Sequence, residues 1–305
     1  MGPGRGGGVA RLFFRPCYPR RVNDAALITA LSLIPRNSVT RAMGVFARSA
    51  LPKPAHRAFL NWYIGHYGVD MTECVGEVDD FRDFTEFFTR PLKPGLRPVC
   101  PDANALVSPC DGKVYTCGRI ENGQLSQGEG MPFSAAELVG APEEPDAARF
   151  DGGNYVIIYL SPKDYHRVHA PREGSVTRYH YVPGELWPVF PAATRKVEGL
   201  FARNERLTGF FDTDHGEIAL AMIGAFGVGR IKVTFADTIS NQKQPRVNAT
   251  LPVAYAMERC GEFGRFEMGS TAILLFPPRP VGAPELTFTV TPGQVVRLGE
   301  RIGHW

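Results

Sequence analysis

Beyond Pro98 the chain never sustains an amphipathic helix. Val107, Lys113–Cys117, Tyr155–Leu160, Arg178–Val182, Ile218–Phe226, Arg230–Phe235, Ala272–Phe276 and Leu286–Thr291 read instead as short strands between Gly/Pro turns. With no helix of crossover length between them, a doubly wound parallel sheet is excluded. The 33 glycines and 26 prolines in 305 residues fit that turn-rich pattern. Two pieces near the ends of this body, Ser108–Val114 (SPCDGKV) and Pro292–Gly303 (PGQVVRLGERIG), look like turns of small barrel-sandwich domains of the biotinyl kind. That likeness concerns fold alone.

Upstream the period changes. Asp24 is placed to cap a helix through the apolar stretch to Ile34, and Pro35 interrupts it. Val39, Met43, Phe46 and Ala50 then make one apolar stripe, with Arg41 and Arg48 off it. Phe59, Tyr63 and Tyr67 recur every four residues beside Leu60, Trp62 and Ile64. The longest uncharged, mainly apolar run, Ala25–Ile34, has ten residues, too few to cross a bilayer. Residues 1–68 carry ten Lys/Arg against the single acid Asp24, a net +9 on a body of −6. Short amphipathic helices with arginines and interfacial aromatics suit a bilayer surface, and a basic segment suits an anionic partner. A helical bundle packed on the body is the plainer alternative. No recognition motif for nucleic acid accompanies the charge, so none is expected as a partner.

The organisation read from this is α+β. It comprises a flexible basic head (1–23), a helical membrane-associating region (24–97) and a β-rich catalytic body with barrel-sandwich-like elements (98–305). Gly2, Gly4 and Gly7 match GxGxxG only formally, since no strand precedes them. Six cysteines without a CxxC pair suggest a reducing compartment. Five arginines and no acid among residues 1–23 also fit a transit peptide, and a secretory signal fits poorly.

Three segments concentrate reactive side chains beside strand signals. In Ser108–Gly112, Asp111 before Gly112 is on its own an ordinary turn residue. In Asp164–Pro171, His166 and His169 follow an apolar strand. They suit acid–base work, since histidine titrates nearest neutral pH, better than metal ligation, for which HExxH is absent; two plain loop histidines remain the alternative. In Gly264–Thr271, a Gly269-Ser270 step enters an apolar strand, with no Cβ shielding the glycine carbonyl from the serine hydroxyl. Asp111, His169 and Ser270 are thus a permitted orienter–base–nucleophile triad. No metal is expected.

The wording of these segments is more specific than their chemistry. VDMTE (69–73), FTEFFTRPLKPGLRPV (84–99), SPCDGKV (108–114), YLSPKDYHRVHAP (159–171), YVPGELWPV (181–189), GLFARNER (199–206) and GRFEMGSTAILLF (264–276) occur in this order. In them the chain, from about residue 34 onward, resembles phosphatidylserine decarboxylase proenzymes of the bacterial and mitochondrial type. Residues 1–33 and 237–246 have no clear counterpart.

The resemblance implies an activity and its residues. Proenzymes of this kind cleave themselves at Gly-Ser in a Leu-Gly-Ser-Thr motif, here Met268-Gly269-Ser270-Thr271. Methionine for leucine conserves volume. His169, held by Asp111, would deprotonate Ser270, whose oxygen attacks the Gly269 carbonyl. Elimination to a dehydroalanine, then hydrolysis by water with loss of ammonia, leaves a covalent pyruvoyl group from Ser270 at the head of a 36-residue α chain, beside a β chain of 1–269. The α/β heterodimer would then decarboxylate phosphatidylserine held as a Schiff base on that group, the group acting as electron sink. His166 is the first candidate to protonate the resulting carbanion and His169 the second. Phe201, Arg203 and Asn204 are candidates to shape or line the headgroup site, with GLFARNER as a structural turn the alternative. The resemblance further implies a peripheral protein on an anionic membrane, at the cytoplasmic face of a bacterial membrane or else the mitochondrial inner membrane. A homo-oligomer stays open. The rival readings are a non-enzymatic lipid-binding module on the same fold and a decarboxylase of another serine-headed lipid or amino acid.

Overall fold

In the strand Thr271–Phe276 all six side chains are buried, and they alternate between two cores. Ala272, Leu274 and Phe276 join Val156, Ile158, Leu220 and Phe263 on one face. Ile273 and Leu275 join Ile157, Ala219, Ala221 and Phe210 on the other. A strand with no polar face can only lie inside a sheet covered on both sides. The computed structural model describes residues 24–128, 130–140, 145–227, 230–267 and 271–305. It places this strand near the middle of an eight-stranded antiparallel sheet. The order across the sheet is Val247–Met257, Gly174–Val182, Arg206–Thr213, Gly216–Ile223, Thr271–Phe276, Asn154–Tyr159, Gly112–Arg119 and Val295–Val296.

The strand expectations hold for the apolar runs and fail at polar ones. Arg206–Thr213 and Val247–Met257 were not anticipated, because charged or small residues break their alternation. Phe210 and Phe211 are nonetheless fully buried on opposite faces. A second, three-stranded sheet runs Ile231–Val233, Glu262–Phe266, Arg167–His169. The two turn-like pieces SPCDGKV and PGQVVRLGERIG lie side by side. Gly112 and Lys113 pair with Val296 and Val295, and Ser108 exchanges backbone hydrogen bonds with Gly299 and Glu300.

Ahead of the sheets stand helices α1 (Asp24–Leu33), α2 (Arg36–Ala47), α3 (Lys53–Tyr67) and α4 (Phe84–Phe88). Pro35 separates the first two as expected, and Gly68, at φ +71°, closes α3 with its N–H on the Ile64 carbonyl. Asp83 caps α4 by accepting from the Glu86 N–H at 2.9 Å. Leu60, Tyr63, Phe81, Phe84, Phe87 and Phe88 pack into a third, aromatic core. The stripe read on α2 does not bury. Thr40 and Ala47 are the buried residues, Arg36, Arg41 and Arg48 are half-buried, and Met43, Val45 and Phe46 stay exposed. Among the described residues no helix is long and apolar enough to cross a membrane. The expected flexible head, 1–23, lies outside the described residues.

Candidate active site

Backbone pairing brings the three reactive segments together. Arg167–His169 runs antiparallel to Glu262–Phe266, with His169 opposite Glu262 and Arg167 opposite Arg265. The Phe266 N–H donates to the His166 carbonyl at 3.0 Å, and the His169 N–H to the Pro109 carbonyl at 2.8 Å. The histidine segment is therefore laced on one side to the strand leading toward the Gly-Ser step and on the other to the Ser108–Gly112 turn. Gly112 has to be glycine, because a Cβ there would lie 2.6 Å from the Tyr159 carbonyl oxygen. Met268, Gly269 and Ser270 themselves lie outside the described residues. Thr271, which follows Ser270, is fully buried and pairs with Tyr159 on one side and Ile223 on the other.

Asp111 and His169 do not meet as a hydrogen-bonded pair. The Asp111 carboxylate accepts from Arg97 Nη2 at 2.6 Å, from Arg97 Nε at 2.9 Å and from the Leu298 N–H at 2.9 Å. Arg97 also spans to Glu73 at 2.6 Å. The His169 ring is held by other groups. Its Nδ1 lies 2.8 Å from the Cys260 carbonyl and its Nε2 lies 3.2 Å from the Tyr165 hydroxyl. A carbonyl only accepts, so Nδ1 carries the proton and Nε2 presents its lone pair, taking a hydrogen bond from Tyr165. Cys260 aims that carbonyl from φ +65°, a conformation few non-glycine residues adopt. Burial lowers the His169 pKa, and the Cys260 hydrogen bond and the charges of Glu262 and Asp111 oppose the shift. Asp111 thus reaches His169 through its field, and the direct contact expected of the triad is replaced by the Cys260 carbonyl.

His166 occupies a different environment. It is completely buried, its ring centroid lies 3.9 Å from that of Phe88, and among the described residues neither ring nitrogen meets a partner in hydrogen-bond geometry. Burial, reinforced by the nearby Arg90, pushes its pKa down to about 3. The ring borders an apolar cavity of about 500 Å³ between the helical layer and the sheet. Tyr63, Phe84 and Phe88 form one wall, and Tyr159, Leu160 and Ala225 belong to the other. Tyr159 and Ile223 are the partners of Thr271, so the cavity opens at the end of the sheet where the Gly-Ser step joins it. The loop carrying His166 is fixed from several directions. Asp164 accepts from the Ser161 N–H and hydroxyl, both at 2.7 Å, and Arg90 and Arg167 donate to the Lys163 and Thr89 carbonyls.

Phe201, Arg203 and Asn204 do not line this cavity. Phe201 is buried in the second core, and Arg203 pairs with Glu185. Asn204 bonds the backbone of Trp187 and Gly224, next to Pro188 and Ala225 of the cavity wall. Lining is thus not seen, whereas Asn204 braces the wall from behind, which fits the structural-turn alternative and a part in shaping the site. Tyr165, Arg97 and Cys260 were not singled out from sequence. A tyrosine beside a histidine and an arginine in a proline-rich stretch give no signal until the fold brings them to their partners.

The family model for phosphatidylserine decarboxylase matches residues 84–304. Among curated proteins, the phosphatidylserine decarboxylase proenzyme of Anaeromyxobacter sp. (strain K) is 44% identical over 287 residues, covering 92% of this chain and 99% of that protein. Those of Myxococcus xanthus (strain DK1622) and Shewanella denitrificans (strain OS217 / ATCC BAA-1090 / DSM 15013) are 40% and 39% identical, each over 92% of this chain and 99% and 98% of their own lengths.

Proposed function

The chain belongs to the phosphatidylserine decarboxylase family, and we propose that it cleaves itself at Gly269-Ser270 and then converts phosphatidylserine to phosphatidylethanolamine and CO₂ at the end of the Thr271–Phe276 strand. The observation that carries this reading is the conjunction of a buried, unpartnered His166, an apolar cavity and the buried start of that strand in one place.

In maturation, His169 Nε2 is the base. Its lone pair is already oriented by the Cys260 carbonyl on the opposite nitrogen, and the depressed pKa keeps the ring neutral at physiological pH. It accepts the Ser270 proton as the serine oxygen adds to the Gly269 carbonyl. The Tyr165 hydroxyl occupies Nε2 until then. Asp111, fixed by Arg97 and Leu298, supplies negative charge that favours the imidazolium formed. After cleavage the 36-residue α chain stays bound, because Thr271–Phe276 remains paired on both sides and buries five apolar side chains.

The surroundings of Thr271 fit a pyruvoyl group. Its own Oγ1 is buried without a partner among the described residues, and the adjoining cavity is apolar. When present, that group supplies the electron sink for the carbanion left by CO₂. His166, lining the same cavity, is the group placed to deliver a proton to that carbon. Burial and the nearby Arg90 hold its pKa down, and an anionic substrate beside the ring would oppose that shift and favour the protonated acid. The exposed Met43, Val45, Phe46 and Trp62 beside basic α2 and α3 support peripheral seating on an anionic membrane.

Incubating purified protein with phosphatidylserine vesicles, with free serine in parallel, tests the reading. Phosphatidylethanolamine from the vesicles and no ethanolamine from serine are expected. Cleaved protein that converts neither contradicts the assignment, and conversion of serine alone moves it to the soluble amino acid.

A further inference from the structure

A second, polar pocket of about 150 Å³ adjoins the apolar cavity. The two share walls. On α2, Met43, Phe46 and Ala47 face the apolar space, whereas Thr40, Arg41 and Arg48 face the polar one. On α4, Phe84 and Phe88 take the first side and Thr85 the second. Arg230 and Glu267 close the polar pocket from the β body, and Glu267 lies two residues before Gly269.

The pocket lining thus holds three guanidiniums and one carboxylate, with Arg41 also acting on the charge of Glu205 behind it, and the mutual pairing is incomplete. Arg48 Nη1 stands 3.9 Å from Glu267. Arg230 Nε lies 3.1 Å from Glu267 Oε2, but off the hydrogen-bond direction, and neither atom has a hydrogen-bond partner among the described residues. Arg41 donates to the neutral Asn241 side chain at 3.1 Å. Thr85 Oγ1 is buried, also without a partner among the described residues. Leaving a buried hydroxyl and a guanidinium N–H unpaired costs free energy, and an oxyanion between them would satisfy both. Burial and repulsion from Arg230 lower the Arg48 pKa, with Glu267 and Asp83 opposing, which is the behaviour of a cation short of counter-charge.

We propose that Arg41, Arg48 and Arg230, with the Thr85 hydroxyl, hold the phosphodiester of the lipid substrate while its apolar part occupies the neighbouring cavity. The assignment rests on the decarboxylase reading and gives it a second anchor. It also explains why α2 turns its arginines inward. A phosphate-bearing headgroup next to acyl chains needs an anion site and an apolar cavity with a common wall, and α2 and α4 are that wall.

The test uses full-length protein whose self-cleavage has been verified by mass, with a short-chain, water-soluble phosphatidylserine as substrate. Arg48→Gln is expected to raise KM about tenfold or more, the scale of a lost charge-assisted hydrogen bond, with kcat within about threefold. Arg48→Lys should recover part of that loss. Glycerophosphocholine, a phosphodiester without serine, should compete with the lipid on wild type and far less on Arg48→Gln. Unchanged KM in Arg48→Gln overturns the proposal. Inorganic phosphate that stabilises the protein without competing with the lipid marks a free-phosphate site and overturns it too. If Arg48→Gln does not self-cleave, Arg41→Gln is read by the same KM criterion. Wild type that is cleaved but turns over no serine lipid refutes the decarboxylase reading instead. The anion site is then judged by phosphate-dependent thermal stabilisation, whose presence in wild type and loss in Arg48→Gln supports it and whose absence overturns it.

Discussion

The central sheet and helix α2 bury opposite kinds of side chain. In the sheet, Ile157, Ile273, Leu274 and Leu275 are completely buried, and the strands Asn154–Tyr159 and Thr271–Phe276 carry no charged residue. In α2, Val45 and Phe46 are 61% and 52% exposed while Arg36 and Arg48 turn toward the body, Arg36 onto Glu185 and the face of Trp187. The sheet satisfies the hydrophobic effect within the chain. The helical layer leaves part of its apolar surface for something else, and a protein that works on a bilayer lipid has such a partner. The apolar cavity lies between these two regimes, with one wall from each.

The largest effect that would sharpen this contrast concerns the cavity. Replacing His166 with Gln should leave self-cleavage intact and lower the decarboxylation rate by about 10²–10⁴-fold, the range for loss of a general acid. An uncleaved His166→Gln protein would move His166 into maturation and break the division of labour with His169.

Next comes the pair Leu274→Ala and Phe46→Ala. The first empties a site in the sheet and should cost about 2–5 kcal/mol in urea unfolding. The second removes a larger, half-exposed side chain, and should cost within about 0.5 kcal/mol while weakening liposome binding. Equal destabilisation by both would mean that α2 is packed as tightly as the sheet.

A smaller effect follows from His166 titration. Its folded pKa of about 3 lies below the ordinary value of 6.5, so between these values the unfolded chain binds a proton that the native chain does not. The stabilising contribution is full above about pH 6.5 and is lost as pH falls toward 3, by up to about 1.4 kcal/mol per unit. Unfolding midpoints of wild type and His166→Leu should therefore diverge below pH 6.5, the wild type falling faster. Parallel curves would place the ring in a wetter site. Smallest per residue is the salt effect. Binding to anionic vesicles should weaken as ionic strength rises, with each basic residue near the surface contributing up to about 1 kcal/mol. Binding insensitive to salt would leave the exposed apolar residues as the sole anchor.

How far the sequence carried depended on how local each feature is. The three helices and the break at Pro35 were legible because cap, period and proline are local signals. Ala272–Phe276 and Tyr155–Leu160 were legible as strands because a fully apolar run has few other places to go. Arg206–Thr213 and Val247–Met257 were not, since their residues do not alternate and each lies against Gly174–Val182, a strand well removed along the chain. At the site, the quoted segments pointed to His166, His169 and Asp111. The contact between Asp111 and His169 was misjudged, because nothing local tells that Arg97 takes the carboxylate and that Cys260, bent to positive φ, takes the imidazole. The stripe on α2 was real as a pattern. Its direction was set by the arginines' partners in the body, Glu185 and Glu267, which no helical wheel contains.

The central claim is that Gly269-Ser270 is the bond that this fold exists to break, and intact mass of the purified protein beside its Ser270→Ala variant tests it most directly. Two wild-type chains split after Gly269, the 36-residue one with a pyruvoyl-blocked N-terminus, and a whole variant are the predicted result. A wild-type protein that stays one chain of 305 residues in the presence of lipid would contradict it.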